Sequence, residues 1–256
     1  MSQLDPIFAL RGVSKQYGGF RALAPISLTI MQGERVALMG PSGSGKTTLL
    51  NLLAAALGPD TGELTIEGES SLSLRPGRDL ARRVGVMPQG FDLVPSLAVV
   101  HNVLAGRLGE WNFGRSLLSL IVPRDIELAR AALSRVGIAD KIYERTSRLS
   151  GGEQQRVALA RLLVQRPHAI LADEPVSSVD PARAEDLLRL LVAIVEDERR
   201  TLVASMHAVP LALRYFTRVI ALRQGVVVFD RPTSHISTAD LDALYALTPD
   251  GQRGAA

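Results

Sequence analysis

The stretch Gly40-Pro41-Ser42-Gly43-Ser44-Gly45-Lys46-Thr47-Thr48 constrains the fold more than any other part of the chain. Its glycines allow successive backbone N–H groups to turn inward around an anion. Such a loop needs a rigid strand before it and a helix start after it. Both are legible. "RVALM" (35–39) reads as a short strand running straight into the glycines, and "TTLLNLLAAAL" (47–57) is apolar on all sides, as a buried helix is, with its stop expected at Gly58-Pro59. In this setting the amides would surround the β- and γ-phosphates of a nucleotide, Lys46 would supply a point charge, and the Thr47 hydroxyl can ligate Mg²⁺. Of the 29 Lys and Arg residues only Lys15, Lys46 and Lys141 are lysines, so Lys46 is a candidate for a position that needs a compact ammonium.

The rest of the chain supplies a sheet to carry that loop. Short β-like runs occupy 7–13 ("IFALRGV"), 26–30 ("ISLTI"), 84–87, 169–173 ("AILAD") and 201–206 ("TLVASM"), and two more flank the turn "RQG" at 223–225. Helical patterns lie between them, including a helix from Pro181. Strand–helix alternation predicts an α/β fold with a mostly parallel sheet covered on both faces, joined by an antiparallel N-terminal β region. From residue 92 to 148 the pattern is helical with no convincing strand, as in "DIELARAALSRVG" (125–137). We therefore expect one domain over 1–256: a core of 1–91 and 156–235, an inserted α-helical subdomain at 92–155, and a short C-terminal helix ("TADLDALYAL", 238–247) and tail within 236–256.

Composition excludes several classes of function. No uninterrupted apolar run exceeds six residues, as in Leu190 to Val195, too short for a membrane span. With 0 cysteines there is no disulfide framework or thiolate metal site. The net charge is only +3 and no basic block interleaves with aromatics, so nucleic acid is not an expected partner. The N-terminus lacks a secretory signal, and a cytoplasmic protein is expected.

Further residues carry chemistry. "HAILADEP" (168–175) places two carboxylates at a strand's end, where Asp173 can hold a Mg²⁺ shell and Glu174 can polarise an attacking water; alone, such a pair is often only a turn. His207, just past a strand, is either a satisfied core or surface histidine or a sensor of the γ-phosphate. Gln89 in "VMPQG" is either a solvated loop residue or part of the site. Tyr17 in "KQYGGF" either stacks on a base or packs locally. Ser150-Gly151-Gly152-Glu153 scores as a capping box, with the serine capping a helix and the glutamate reaching back. A box needs no consecutive glycines, however, and these expose amides to an anion. One phosphate loop already serves this chain's own nucleotide, so a second cradle makes sense if it serves another chain's.

These motifs, in this order, resemble the ATP-binding subunits of ABC transporters over nearly the whole chain. The resemblance implies a P-loop NTPase core with an inserted helical subdomain, binding ATP and Mg²⁺. It places Tyr17 at the adenine-stacking position, Gly40 to Thr48 at the phosphate loop and Gln89 at the loop that senses Mg²⁺ and the membrane partner. It places Asp173 and Glu174 at the Mg²⁺ and catalytic acids and His207 at the switch histidine. Metal contacts are thus implied for Thr47, Gln89 and Asp173, and catalysis for Glu174, His207 and Lys46. "LSGGEQ" (149–154) is similar to the signature, in which Ser150, Gly151, Gly152 and Gln154 would act on ATP held by the facing subunit. "SSVD" (177–180), with Ser178 and Asp180, would cross the dimer interface. The implied partners are a second copy in a head-to-tail ATP sandwich, two membrane permease subunits, and a periplasmic or lipid-anchored solute-binding protein. The implied location is peripheral, at the cytoplasmic face of the inner membrane.

A finer resemblance, to the phosphonate importer branch, lies in "FRAL" (20–23), "NVLAGRLGEWNFGRSLLSLIVPRD" (102–125), "ILADEPVSSVD" (170–180) and "ALRYFTRVIALRQGVVVFD" (212–230). It implies uptake of phosphonates, phosphite or related compounds. Import of another small solute, or a lipoprotein-release or export role, are the alternatives. Pro88, Gly90, Val179 and Arg231 depart from the usual pattern, the first two where coupling to the membrane subunit would occur. Trp111 and Phe113 would either meet that subunit or pack the helical block.

Overall fold

A computed structural model describes residues 6–109, 125–176 and 181–246. Trp111, Phe113, Ser178, Val179 and Asp180 lie outside the described residues. The central strand decides the architecture. β3 (Arg35–Met39) is flanked on both sides by parallel strands, β8 (Thr201–Ser205) and β9 (Arg218–Arg223). Beyond β8 lie β7 (Ala169–Ala172) and β6 (Val84–Met87), also parallel, while β10 (Val226–Pro232) closes the other edge antiparallel to β9. Alternation along β3 sends Ala37 and Met39 into one apolar core and Val36 and Leu38 into a second. A parallel sheet buried on both faces requires this uninterrupted apolar reading.

The second core is covered by α1 (Lys46–Leu53) and by an antiparallel sheet of β1 (Pro6–Tyr17), β2 (Phe20–Met31), β4 (Thr61–Ile66) and β5 (Glu69–Ser70), ordered β2-β1-β4-β5. The first core is covered by helices: α3 (Val99–Leu104), α4 (Ile126–Arg135), α5 (Gly151–Gln165), α6 (Pro181–Asp197) and α7 (Val209–Tyr215). A short α2 (Arg78–Arg83) precedes β6, and α8 (Thr238–Tyr245) ends the described chain. Among the described residues between 92 and 148 there is no strand, only an isolated bridge between Ala98 and Arg145. α5 runs unbroken through residues 155 and 156 and packs on α3, α4 and β6.

Two local features differ from the sequence reading. β4 and β5 were not anticipated, because "TGELTI" carries Gly62 and Glu63, residue types depleted in strands; its Gly62 is required where a Cβ would come within 2.3 Å of the Gly12 carbonyl oxygen. α1 ends at Leu53 rather than near Leu57. The Ala56 amide donates to the Asn51 carbonyl and the Ala55 amide to the Leu52 carbonyl, with Ala55 left-handed at φ 52°. That is a Schellman cap, built on alanine where glycine is usual. The helix is terminated by its own backbone before Gly58-Pro59 is reached. Replacing Ala55→Gly relieves the Cβ clash of the left-handed conformation, and we expect urea unfolding to show a gain of about 0.5–1 kcal/mol.

Candidate active site

Because β3, β7 and β8 are parallel, the segments leaving their carboxyl ends converge on one end of the sheet, where ligands bind in open α/β folds. The glycine loop leaves β3, Asp173 and Glu174 leave β7, and His207 leaves β8. At Gly40, φ is 145° and a Cβ would lie 2.0 Å from the Leu222 carbonyl oxygen; at Gly45, φ is 103° and a Cβ would lie 2.7 Å from that of Ala22. The loop is therefore pressed against the body by backbone that side chains cannot displace. The Gly225 amide donates to the Ser44 carbonyl at 3.0 Å, and the Ala24 amide to that of Gly225 at 2.8 Å.

Lys46 opens α1 and is only 6% exposed. Its Nζ donates to the carbonyls of Gly40 (2.8 Å) and Pro41 (3.0 Å). Burial lowers its pKa, and the charges of Glu174 and Asp173 oppose that shift. The loop from Ser42 to Thr48 lines a cavity of about 290 Å³ together with Tyr17, Phe20, Ala22, Glu174 and His207. Pro41 lines a neighbouring cavity of about 270 Å³ with Arg223, Gln224 and Tyr245. Phe20 was missed from sequence. It pairs with Tyr17 across the Gly18-Gly19 turn, and the aromatic at both ends of "YGGF" was the available signal.

Glu174 joins the remaining residues. Gln89 Nε2 donates to its Oε2 at 3.1 Å, and His207 Nε2 donates to its Oε1 at 2.6 Å. Neither Gln89 nor Asp173 lines that cavity, and each is next to Glu174, in space or in sequence. The Glu174 backbone is left-handed, with φ 50°, a conformation that costs a residue with a side chain about 1–2 kcal/mol. Its amide donates at 2.8 Å to the hydroxyl of Ser205, which donates in turn to Asp173 Oδ1 at 2.6 Å. Ser205 was also missed; its signal was a hydroxyl at the end of an otherwise apolar run, two residues before His207.

The second cradle lies apart. Ser150 and Glu153 form the capping box of α5: Ser150 Oγ accepts from the Glu153 amide at 3.4 Å and Glu153 Oε2 from the Ser150 amide at 2.8 Å. Hydrogen bonds from the Ser150 amide and hydroxyl hold the Glu153 carboxyl below its ordinary value of 4.5, so the support it gives to α5 is present above that pH and fades on acidification. A Cβ at Gly151 or Gly152 would meet open space. Gln154 is turned onto its own backbone, donating to the carbonyls of Leu149 (3.1 Å) and Thr146 (3.4 Å). Ser150, Gly152 and Glu153 line a cavity of about 270 Å³ with Arg156, Arg183 and Asp186, and it shares no lining residue with that of the glycine loop. One chain does not bring the two cradles together. α5 nevertheless reaches the first site: Gln155 donates to the Pro175 carbonyl at 3.2 Å, and Arg161 to those of Phe91 and Asp92, both at 2.8 Å.

The profile of the ABC transporter family matches residues 23–177, from within β2 to just past Glu174. The chain belongs to the ABC transporter family. Two relatives, both named phosphonates import ATP-binding protein, come from Pseudomonas putida and Anaeromyxobacter dehalogenans. The first is 49% identical over 96% of this chain and 92% of its own length. The second is 47% identical over 98% of this chain, which spans 50% of that longer protein. Among solved structures, a bacterial ABC transporter cassette in dimeric form is 31% identical with a TM-score of 0.76, over 88% of this chain and 98% of that one. A dimeric post-hydrolysis state of an ATP-binding cassette bound to ADP and Pi is 29% identical with a TM-score of 0.74, over the same shares. The ABC fold seen here, a mixed α/β cassette, is the fold of those neighbours. Within this ABC cassette Gly40→Ala would drive a Cβ into the Leu222 carbonyl. We expect binding of a fluorescent ATP analogue to weaken about tenfold or more while circular dichroism is unchanged.

Proposed function

We propose that this ABC cassette is the ATP-hydrolysing subunit of an importer for phosphonates, phosphite or related phosphorus compounds. The observation that carries the hydrolytic part is the placement of Glu174 between Gln89 and His207 on the wall of the glycine-loop cavity. The cargo rests on the relatives' names, since no residue of the site need touch a transported solute.

In this reading ATP lies with its adenine on Tyr17 and its phosphates against the amides from Gly40 to Thr48 and the Lys46 ammonium. Lys46 Nζ exchanges the Gly40 and Pro41 carbonyls for phosphate oxygens, a stronger, charge-assisted contact. Mg²⁺, when bound, neutralises phosphate charge. Its candidate ligands, Thr47, Gln89 and Asp173, are all oxygen donors, which suits this hard ion. Among the described residues no three acidic or histidine side chains form a metal cage. Glu174 accepts a proton from the attacking water, and His207 orients that carboxylate and reads the γ-phosphate.

The exposed cradle of Ser150, Gly151, Gly152 and Gln154 completes the site of a second copy. Two ATP molecules close the dimer and hydrolysis reopens it. Closing such a two-state equilibrium takes about 5.5 kcal/mol of differential binding, for which contacts to the γ-phosphate are the source. α5 carries the movement from the Gln89 loop to the helical subdomain, and so to two permease subunits served by a solute-binding protein. In this reading the subunit is peripheral, on the cytoplasmic face; no helix among the described residues is long and apolar enough to cross a membrane.

The test is the ATPase rate of the reconstituted transporter with its solute-binding protein, using alkylphosphonate, phosphite, phosphate and an amino acid. Stimulation by alkylphosphonate or phosphite is expected; stimulation by the amino acid or by phosphate alone would overturn the cargo. In the same preparation Glu174→Gln should lower turnover about 100-fold or more. Light scattering should show that variant as a dimer with ATP, and a strict monomer would sink the sandwich.

A further inference from the structure

We propose that Ser205 is a positioning residue that sets the Asp173 carboxylate and the Glu174 backbone through one hydroxyl. The inference rests on the roles given above to Asp173 and Glu174. The β7–β8 ladder ends at the pair Ala172 and Ala204, so the residues that follow β7 leave the sheet without backbone partners in β8. Asp173 keeps one ladder-like bond, its amide donating to the Met87 carbonyl at 2.9 Å. The Glu174 amide has turned away into the left-handed region, and Ser205 Oγ receives it. A side chain thus extends the sheet by one bond where the backbone can no longer do so.

The hydroxyl has no freedom left. An amide can only donate, so the Glu174 N–H takes a lone pair of Oγ and the single hydroxyl proton goes to Asp173 Oδ1. Ser205 is 0% exposed and its backbone is paired with Leu38 of β3, so water does not substitute for either bond. The other side chains of β8 are apolar apart from Thr201 at its far end, and β8 leads through Met206 into His207. One buried oxygen therefore fixes the rotamer of Asp173 and the peptide plane of Glu174, and it stands on the strand that delivers His207. Outer groups that orient a ligand or a base in this way are worth about 10–100-fold in metal affinity or rate.

The experiment compares Ser205→Ala, Ser205→Thr and Glu174→Gln in the full chain, by steady-state ATPase, by Mg²⁺-free binding of a fluorescent ATP analogue, and by Mn²⁺ affinity of the ADP complex from electron paramagnetic resonance. Ser205→Ala should lower kcat about 10–100-fold with KM for ATP within about twofold, and should weaken Mn²⁺ about tenfold. Mg²⁺-free nucleotide binding should be unchanged, and Ser205→Thr, which keeps the hydroxyl, should restore both quantities. Native kcat and Mn²⁺ affinity in Ser205→Ala, with Glu174→Gln inactive, would overturn the role of Ser205 and leave the site reading standing. Loss of nucleotide binding and melting temperature in Ser205→Ala without rescue by threonine would make Ser205 a packing residue and overturn it too. Native turnover by Glu174→Gln would remove the site reading itself, and the inference with it.

Discussion

Everything in this cassette hangs on β3, a five-residue strand with parallel partners on both edges and an apolar core on both faces. A strand so enclosed has no water to satisfy its backbone, so its neighbours must supply every hydrogen bond. That fixes the position of Met39 tightly, and with it the glycines that follow. The same enclosure explains why Gly40 tolerates no side chain: the loop turns directly against the Leu222 carbonyl of the adjacent strand. The anion cradle is rigid because the core beneath it is.

Around that cradle, charge and strain are handled locally. Lys46 is desolvated, and its ammonium is held by two loop carbonyls. Glu174 adopts a backbone conformation that its side chain disfavours, and it is retained by hydrogen bonds from Gln89, His207 and its own amide to Ser205. The bonds from Gln89 and His207 are exposed and worth about 0–1 kcal/mol each, and the part-buried amide bond to Ser205 adds about 0.5–1.5 kcal/mol, together of the order of the strain. The partners come from the segments after β6 and β8, so small movements of either change what surrounds the carboxylate.

α5 links this site to the helical block. Its first turn presents Gly151 and Gly152 to solvent, its second holds the Pro175 carbonyl through Gln155, and its third holds Phe91 and Asp92 through Arg161. Phe91 and Asp92 are both left-handed, at φ 60° and 46°. Arg161 is half-buried, with its pKa lowered by desolvation, and it holds both carbonyls with one guanidinium.

What the sequence determined by itself was whatever depends on local pattern and on chemistry at fixed spacing. The loop from Gly40 to Thr48, β3, β6, the capping box of Ser150 and Glu153, and the alternation that yields a parallel sheet were all readable, because glycine runs, apolar runs and cap residues act over a few neighbours. The end of α1 was not. Gly58-Pro59 is the stronger written signal, but the Asn51 and Leu52 carbonyls were capped first. Nor were β4, whose Gly62 takes a φ of 78° with the Arg11 and Gly12 carbonyls against it, and Phe20, which matters through the turn that places it beside Tyr17. Only the tertiary structure put Gln89, His207 and Ser205 around one acidic pair. Residues 85 or 31 positions apart in the chain meet there because parallel strands end together, and no local pattern records which strands are neighbours.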